Sequence, residues 1–171
     1  MANKVIRVIL GIVISCGILF GIYYVLPGQY KHPITQGIQQ TFQSDVAMLS
    51  NTYKFMKVPE NDMTFEQMMK GATSGSCWVV TTIEADKSTG VGTYEVHAYG
   101  FKTTVSMPKE NGEEKMKTYT ERPIEIVFFT TKGADGKVTN SGYKVIIDNE
   151  EQNEYYRQQA LNWLCGVAAG K

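Results

Sequence analysis

The spacing of apolar residues divides the chain into two parts. The first part, Val8 to Leu26, is a run of 19 residues without a charge. As a helix rising about 1.5 Å per residue, this run would just cross a hydrocarbon core of roughly 30 Å. Beyond it, apolar residues recur first at helical intervals and then in alternation with polar residues. The pattern predicts a transmembrane helix over residues 8–26, followed by one small α+β domain.

The basic residues around this run predict its orientation. Lys4 and Arg7 precede it, and Lys31 is the nearest charge after it. Because basic residues are retained on the cytoplasmic side of a membrane, residues 1–7 are expected to form a cytoplasmic tail. The chain is therefore predicted to be a single-pass membrane protein with an extracytoplasmic C-terminal domain.

Two other interpretations of the apolar run remain open. A cleavable secretory signal needs a small-x-small site after its apolar core, and residues 24–27 offer none. The order Val-Ile-Ser-Cys at residues 13–16 resembles the lipobox of bacterial lipoproteins, which would leave Cys16 acylated. Lipoproteins turn polar directly after that cysteine, whereas ten further apolar or small residues follow Cys16. The uncleaved anchor is therefore the prediction.

The next segment, residues 27–62, is predicted to connect the anchor to a domain over residues 63–171. It contains an expected amphipathic helix over residues 34–49, where apolar residues recur every three or four positions. These residues are Ile34, Ile38, Phe42, Val46 and Leu49. A second helix is expected to begin at Thr64, because the sequence Thr-Phe-Glu-Gln has the form of a capping box.

From Cys77 onwards the pattern becomes that of β-strands. Four segments rich in β-branched and aromatic residues are separated by turns at residues 88–90, 111–112 and 134–136. A closing helix is predicted from Glu150 to Cys165, capped by Asn149, with Tyr156, Ala160, Trp163 and Leu164 on one side. The expected fold is α+β, with helices on one face of a curved antiparallel sheet of about four strands. In element order it is similar to cystatin-like and nuclear-transport-factor-like domains.

The charge balance and the histidines limit the functions of this domain. Beyond Leu26 the chain carries 15 basic and 17 acidic residues, a net charge of −2. A nucleic-acid binder needs a basic face, so nucleic acid is not an expected partner. The chain has two histidines, His32 and His97, without paired metal-ligand spacing. Neither a metal nor a cofactor is predicted.

Of the three cysteines, Cys77 and Cys165 fall in the domain predicted to be exported. In an oxidising compartment such a pair is a candidate disulfide, and two buried free thiols are the alternative. The residues Gly-Ser-Cys-Trp at positions 75–78 resemble the nucleophile signature of papain-type cysteine proteases. In those enzymes the cysteine begins a helix, whereas here a strand is expected. We therefore predict no catalytic residue, and we interpret Trp78 as the hub of the core.

A broader resemblance covers residues 63–166. A Thr-initiated helix leads to a tryptophan, here Trp78. A strand ending near Gly100 follows, then a strand of the form IEIVFFTT and a helix resembling ALNWLCG. This order is similar to that of a recurrent, poorly characterised bacterial envelope domain that is attached to a lipoprotein signal or a membrane helix. The resemblance implies an accessory domain of the cell envelope and carries no catalytic residues.

Three functions follow as hypotheses. The first is a non-enzymatic module that is tethered through residues 8–26 and binds a protein partner in an envelope assembly, such as secretion or conjugation machinery. The second is a binder of a small apolar or peptide ligand in the concave face of the sheet. The third is an enzyme, for which the sequence offers no catalytic constellation.

Overall fold

The computed structural model describes residues 2–105, 118–120 and 122–170. It contains two compact units, Met1–Lys31 and His32–Lys171. The helices are α1 Ala2–Val25, α2 Gly28–Phe42, α3 Ser44–Ala47, α4 Leu49–Lys54, α5 Phe65–Ala72 and α6 Glu154–Ala168. The strands are β1 Thr73–Ser74, β2 Cys77–Ala85, β3 Gly92–Gly100, β4 Lys102–Val105, β5 Thr118–Thr120, β6 Ile124–Lys132, β7 Val138–Ile147 and β8 Glu150–Glu151. The turn expected at residues 111–112 lies outside the described residues.

The first unit contains α1, which runs unbroken through most of the predicted span. The helix breaks at Pro27, because α1 ends at Val25 and α2 begins at Gly28. Val8, the first residue of the predicted span, lies outside the described side chains. Among the residues that the structure describes, no helix combines the length and apolarity that a membrane crossing requires. The span over residues 8–26 stays a prediction from the sequence.

The second unit confirms the α+β class. Its main sheet is antiparallel, with five strands in the order β2-β3-β6-β7-β8, and a smaller sheet has the order β1-β4-β5. The four long strands of the main sheet follow one another along the chain as the meander that the sequence predicts. The additional strand, β8, has two residues. It arises because Asp148 and Asn149 both adopt positive φ, as a tight hairpin turn requires.

Helices α4, α5 and α6 contribute to one core with a single face of the main sheet. Phe128 of β6 is fully buried at its centre. Its ring centroid lies 4.4 Å from that of Tyr53, 5.0 Å from Phe65, 6.2 Å from Trp78 and 6.0 Å from Tyr143. This core joins α4 to the sheet, so the domain begins before residue 63.

Trp78 is buried and belongs to this core, as expected of a core residue. Its ring contacts that of Phe128, and the Nζ atom of Lys54 lies 5.9 Å from the Trp78 ring centroid. Its indole N–H donates a hydrogen bond to Glu66 Oε2 over 2.6 Å. Phe128 contacts four aromatic rings, including that of Trp78. The sequence did not indicate this central position of Phe128.

The helix expected over residues 34–49 differs from the observed one. Helix α2 begins earlier, passes through Pro33 and ends at Phe42, and α3 and α4 follow as separate short helices. Pro33 is the sixth residue of α2, where a proline has no N–H to donate to the Gln29 carbonyl oxygen and ordinarily kinks a helix. Of the predicted stripe, Leu49 joins the core, while Ile34, Ile38 and Phe42 are exposed.

Of the two helix caps predicted from the sequence, the one of α5 is confirmed and the one of α6 is wrong. The capping box at Thr64 is confirmed, because its hydroxyl accepts from the Gln67 N–H and the Gln67 side chain accepts from the Thr64 N–H. Helix α6 is capped by Asn153 instead of Asn149. Its buried residues are Leu161, Leu164 and Cys165, whereas Tyr156 and Trp163 are exposed. The predicted side is therefore confirmed for Leu164 and for Ala160, which packs against the core, and wrong for the two aromatic residues.

Candidate functional site

The face of the main sheet opposite the core carries a cluster of polar and aromatic side chains, which we call the outer-face cluster. It consists of His32, Glu95, His97, Tyr99 and Glu125. Strand alternation places residues 95, 97 and 99 on this face, because Tyr94, Val96 and Ala98 between them are buried in the core. The pairing of Tyr99 with Glu125 across β3 and β6 then brings the carboxylate beside them.

His97 lies between two carboxylates. Its Nδ1 is 2.6 Å from Glu125 Oε1, and its Nε2 is 3.5 Å from Glu95 Oε2. The side chain of His97 is only 12% exposed. With Nδ1–H donating to Glu125, the carboxylate fixes the orientation of the ring. The Nε2 atom is buried without a hydrogen-bond partner among the described residues.

Tyr99 and His32 extend the cluster. The Tyr99 hydroxyl donates a hydrogen bond to Glu125. The ring of His32, from α2, stacks on that of Tyr99 with centroids 3.7 Å apart. Burial and the neighbouring Glu125 carboxylate raise the pKa of Tyr99 well above its ordinary value. The phenol is therefore a hydrogen-bond donor and not a base at physiological pH.

Glu125 is the electrostatic centre of the cluster. Burial alone would raise the pKa of its carboxyl group. The hydrogen bond and charge of His97 outweigh burial, with further help from Tyr99 and His32, and the net effect is a pKa below the usual value. Glu125 is therefore a carboxylate with hydrogen bonds already satisfied within the protein, which suits a structural or recognition role better than proton transfer.

Cys77 lies on the same face but does not form a catalytic pair with His97. Its thiol is almost completely buried, and burial raises its pKa to about 12. A protease-type nucleophile needs a thiolate formed beside an imidazole. In the strand register His97 is opposite Val79, and Cys77 is opposite Tyr99. Both nitrogens of His97 face glutamates, so this arrangement offers no activated nucleophile.

The disulfide considered between Cys77 and Cys165 is not formed. All three cysteines are free in the structure, including Cys16 at the middle of α1. Cys165 lies in the core, whereas the neighbours of Cys77 along β2 show that Cys77 faces the other side of the sheet. The sheet itself separates the two thiols, which explains the absence of the bridge.

Strand β2 is an edge of the main sheet, and two glutamines of α2 bind its backbone. Gln36 Oε1 accepts from the Trp78 N–H over 2.9 Å. Gln39 Oε1 accepts from the Val80 N–H over 3.0 Å, and its Nε2 donates to the Val80 carbonyl oxygen. The two glutamines, three residues apart on the helix, thus reach Trp78 and Val80, two residues apart on the strand. The sequence analysis missed both glutamines, since no local pattern indicates which strand a glutamine will meet.

On the opposite side of the sheet, the backbone of β7 also accepts hydrogen bonds from other parts of the chain. The guanidinium of Arg157 donates to the Tyr143 carbonyl oxygen over 2.7 Å, and the Gln152 N–H donates to the Val145 carbonyl oxygen over 2.8 Å. Free strand edges invite pairing with another chain. Over these residues, that route is blocked by the protein's own side chains and backbone.

The described part of the chain offers no cluster of metal ligands. No group of three or more His, Cys, Asp or Glu side chains there could hold a metal ion. Two shallow clefts are lined by residues 57–62 and by residues 84–86 with 91–93. Neither lining includes a residue of the outer-face cluster.

Comparisons with protein-family models, with curated proteins and with solved structures found no match. The resemblance to bacterial envelope domains therefore stays a prediction from sequence. The function must therefore be inferred from the geometry of the chain itself, and above all from α1, the outer-face cluster and the hydrogen-bonded sheet edges.

Proposed function

We propose that this protein is a membrane-anchored accessory domain that binds a protein partner in a bacterial cell-envelope assembly and does not catalyse a reaction. The observation that carries the proposal is the surface of α1. Large apolar side chains from Ile9 to Val25 are between 50% and 81% exposed, and they occur on every side of the helix. A helix that is apolar all round belongs in lipid or in a protein core.

The sequence supports the orientation of this anchor. Lys4 and Arg7 on the short N-terminal side favour a cytoplasmic N-terminus and an extracytoplasmic domain, in the inner membrane of a bacterium. The ten apolar or small residues that follow Cys16 favour an uncleaved anchor over a lipoprotein acylated at that residue. The likeness of element order to cystatin-like and nuclear-transport-factor-like folds is part of this proposal, but it carries no functional argument.

The exposed end of the outer face, around Thr81, Glu95 and Phe129, is the surface that best suits a protein partner, since Cys77, Val79 and Val127 on the same face are buried. Backbone groups at the edges of β2 and β7 already form hydrogen bonds within the protein, which disfavours the addition of a partner's strand there. The outer face presents partly exposed carboxylates, Glu95 and Glu125, beside the aromatic rings of Tyr99 and Phe129. Ordered aromatic and polar groups of this kind lose little entropy on binding.

The alternative of a ligand in the face roofed by helices has less support. That face is filled by the aromatic rings of Phe128 and its neighbours, which are buried against one another. A ligand pocket of ordinary size would require those rings to move. Nor does the outer-face cluster favour an enzyme, since its histidine is held by carboxylates and the nearby thiol is protonated.

The anchor and its orientation can be tested with a reporter. Alkaline phosphatase fused after Lys171 should be active, because the enzyme folds only outside the cytoplasm. Changing Leu19 to Arg places a charge near the middle of the span, at a cost of about 2.5 to 3.5 kcal/mol for insertion, and should reduce that activity. An inactive fusion would contradict the proposed topology. Fatty-acid labelling of Cys16 with loss of the first fifteen residues would establish the lipoprotein alternative.

The partner-binding surface can be tested by site-specific photo-crosslinking of the full chain in native membranes. A photoreactive residue at Thr81, which is exposed on the outer face, should give a discrete adduct with another protein. The matched control is Ala134, which is exposed in the hairpin between β6 and β7 and should give none. Equal labelling from both sites, or adducts from Ala134 alone, would show that the outer face is not the binding surface.

A further inference from the structure

Helix α2 presents its apolar residues away from the sheet. Gln36 and Gln39 bind the backbone of β2, so the sheet-facing side of the helix is polar. Ile34, Ile38 and Phe42, spaced four residues apart, are 43%, 47% and 80% exposed. Apolar stripes of a domain normally face its core, and this one does not. Its three members, which we call the α2 stripe, therefore need another apolar environment.

We propose that the α2 stripe lies in the headgroup region of the lipid bilayer beside the anchor. This inference rests on the proposed function, because it assumes that residues 8–26 span the membrane. Ile34 follows Leu26 by only eight residues, and residues 28–34 are helical. At about 1.5 Å per helical residue, or at most about 3.5 Å per extended residue, that tether is short compared with the bilayer. The α2 stripe therefore begins close to the membrane surface at which the proposed anchor ends.

The charges of α2 do not oppose contact with lipid. From Gly28 to Phe42 the helix has no acidic residue, and its only Lys or Arg is Lys31. Nothing in this segment repels the anionic headgroups of a bacterial membrane. Helices that lie in the membrane interface combine an apolar stripe with a polar face in this manner. Here the polar face is occupied by the domain, through the two glutamines.

This arrangement would orient the domain. Because Gln36 and Gln39 fix α2 to the edge of the main sheet, a helix lying on the bilayer fixes the direction in which the sheet faces. The outer-face cluster would then be presented to a partner in one orientation rather than at the end of a freely rotating tether. Restricting that rotation lowers the entropic cost of binding a partner in the same membrane.

The test is spin-label accessibility with the full chain in vesicles of phosphatidylethanolamine and phosphatidylglycerol. The background carries Cys16→Ser, and the buried Cys77 and Cys165 are protected from labelling in the folded protein. Single labels are introduced through Ile38→Cys and Phe42→Cys on the stripe. Gln40→Cys, on an exposed polar side of the same helix, is the matched control, and Leu19→Cys reports on the anchor. The measurement compares collisions with oxygen, which concentrates in lipid, and with a water-soluble nickel complex.

Labels at residues 38 and 42 should shift towards oxygen relative to the label at residue 40, which should favour the nickel complex. If the residue 19 label favours oxygen but the stripe labels match the control, the stripe is in water and the inference is wrong while the anchor stands. Stripe labels that are immobilised and shielded from both reagents would show contact with protein, and would also overturn it. A residue 19 label that favours nickel would refute the proposed anchor itself.

Discussion

Replacing Phe128 with alanine should lower the free energy of unfolding by about 3 to 5 kcal/mol, the range for truncation of a buried aromatic side chain. Phe128 is fully buried and contacts the rings of Tyr53, Phe65, Trp78 and Tyr143. Its loss would leave a cavity between β6 and the helices that the surrounding rings can fill only in part. Small domains have a total stability of about 5 to 15 kcal/mol, so the variant would approach the threshold of folding.

The adjacent residue offers a matched control. Phe129 has the same side chain on the same strand, but it points to the outer face and is only partly buried. Phe129→Ala should therefore cost clearly less than Phe128→Ala. Urea unfolding of the full chain in detergent micelles, followed by near-UV circular dichroism, gives both values. Equal losses for the two variants would mean that the core does not centre on Phe128.

Replacing Gln39 with alanine should lower the free energy of unfolding by about 2 kcal/mol. The Gln39 amide is buried and satisfies both the N–H and the carbonyl oxygen of Val80. Without it, two backbone groups on the sheet edge lose their partners, and an unsatisfied buried group costs about 1 to 3 kcal/mol. Water that enters the vacated space would form some of the lost hydrogen bonds. The expected loss of stability is therefore near the lower end of the combined cost of the two groups.

Gln40, the next residue, is exposed and provides the control for composition and helix propensity. Gln40→Ala should change stability by less than about 0.5 kcal/mol, as for most surface positions. Hydrogen exchange adds a local measurement, because the amide of Val80 should exchange faster in Gln39→Ala and remain protected in Gln40→Ala. A Gln39 variant with wild-type stability and unchanged protection of Val80 would show that α2 does not hold the edge of β2.

The placement of α2 illustrates why periodicity alone was insufficient. The stripe of Ile34, Ile38 and Phe42 correctly indicated a helix, but a helical period says only that a face is apolar, not what covers it. The buried face is instead set by Gln36 and Gln39, whose partners are about 40 residues away in sequence. A polar residue becomes a core residue when a strand edge supplies its hydrogen bonds, and that edge exists only after the sheet has formed.

Helix α6 shows the same limit in another way. Of the four residues predicted on its inward side, Leu164 is buried and Ala160 packs against the core, whereas Tyr156 and Trp163 are exposed. At the end of the helix, Gly71 of α5 lies so close to Ala168 that an added Cβ would be 2.7 Å from the Ala168 Cβ. Such close approach of two helices admits small side chains and excludes large ones. Helical periodicity does not contain this distance between the helices.

Features that depend on near neighbours along the chain were predictable without the fold. They include the strand from Cys77 to Ala85, the capping box at Thr64, the order of the long strands and the α+β class. The side of the sheet that Cys77 faces, and the contact of His97 with Glu125, depend instead on how the strands pair. Strand pairing brings residues 28 positions apart to within 2.6 Å, and a shift of one residue in register would move every side chain to the other face. Those contacts follow from the register, which the whole core sets, and no local segment contains that information.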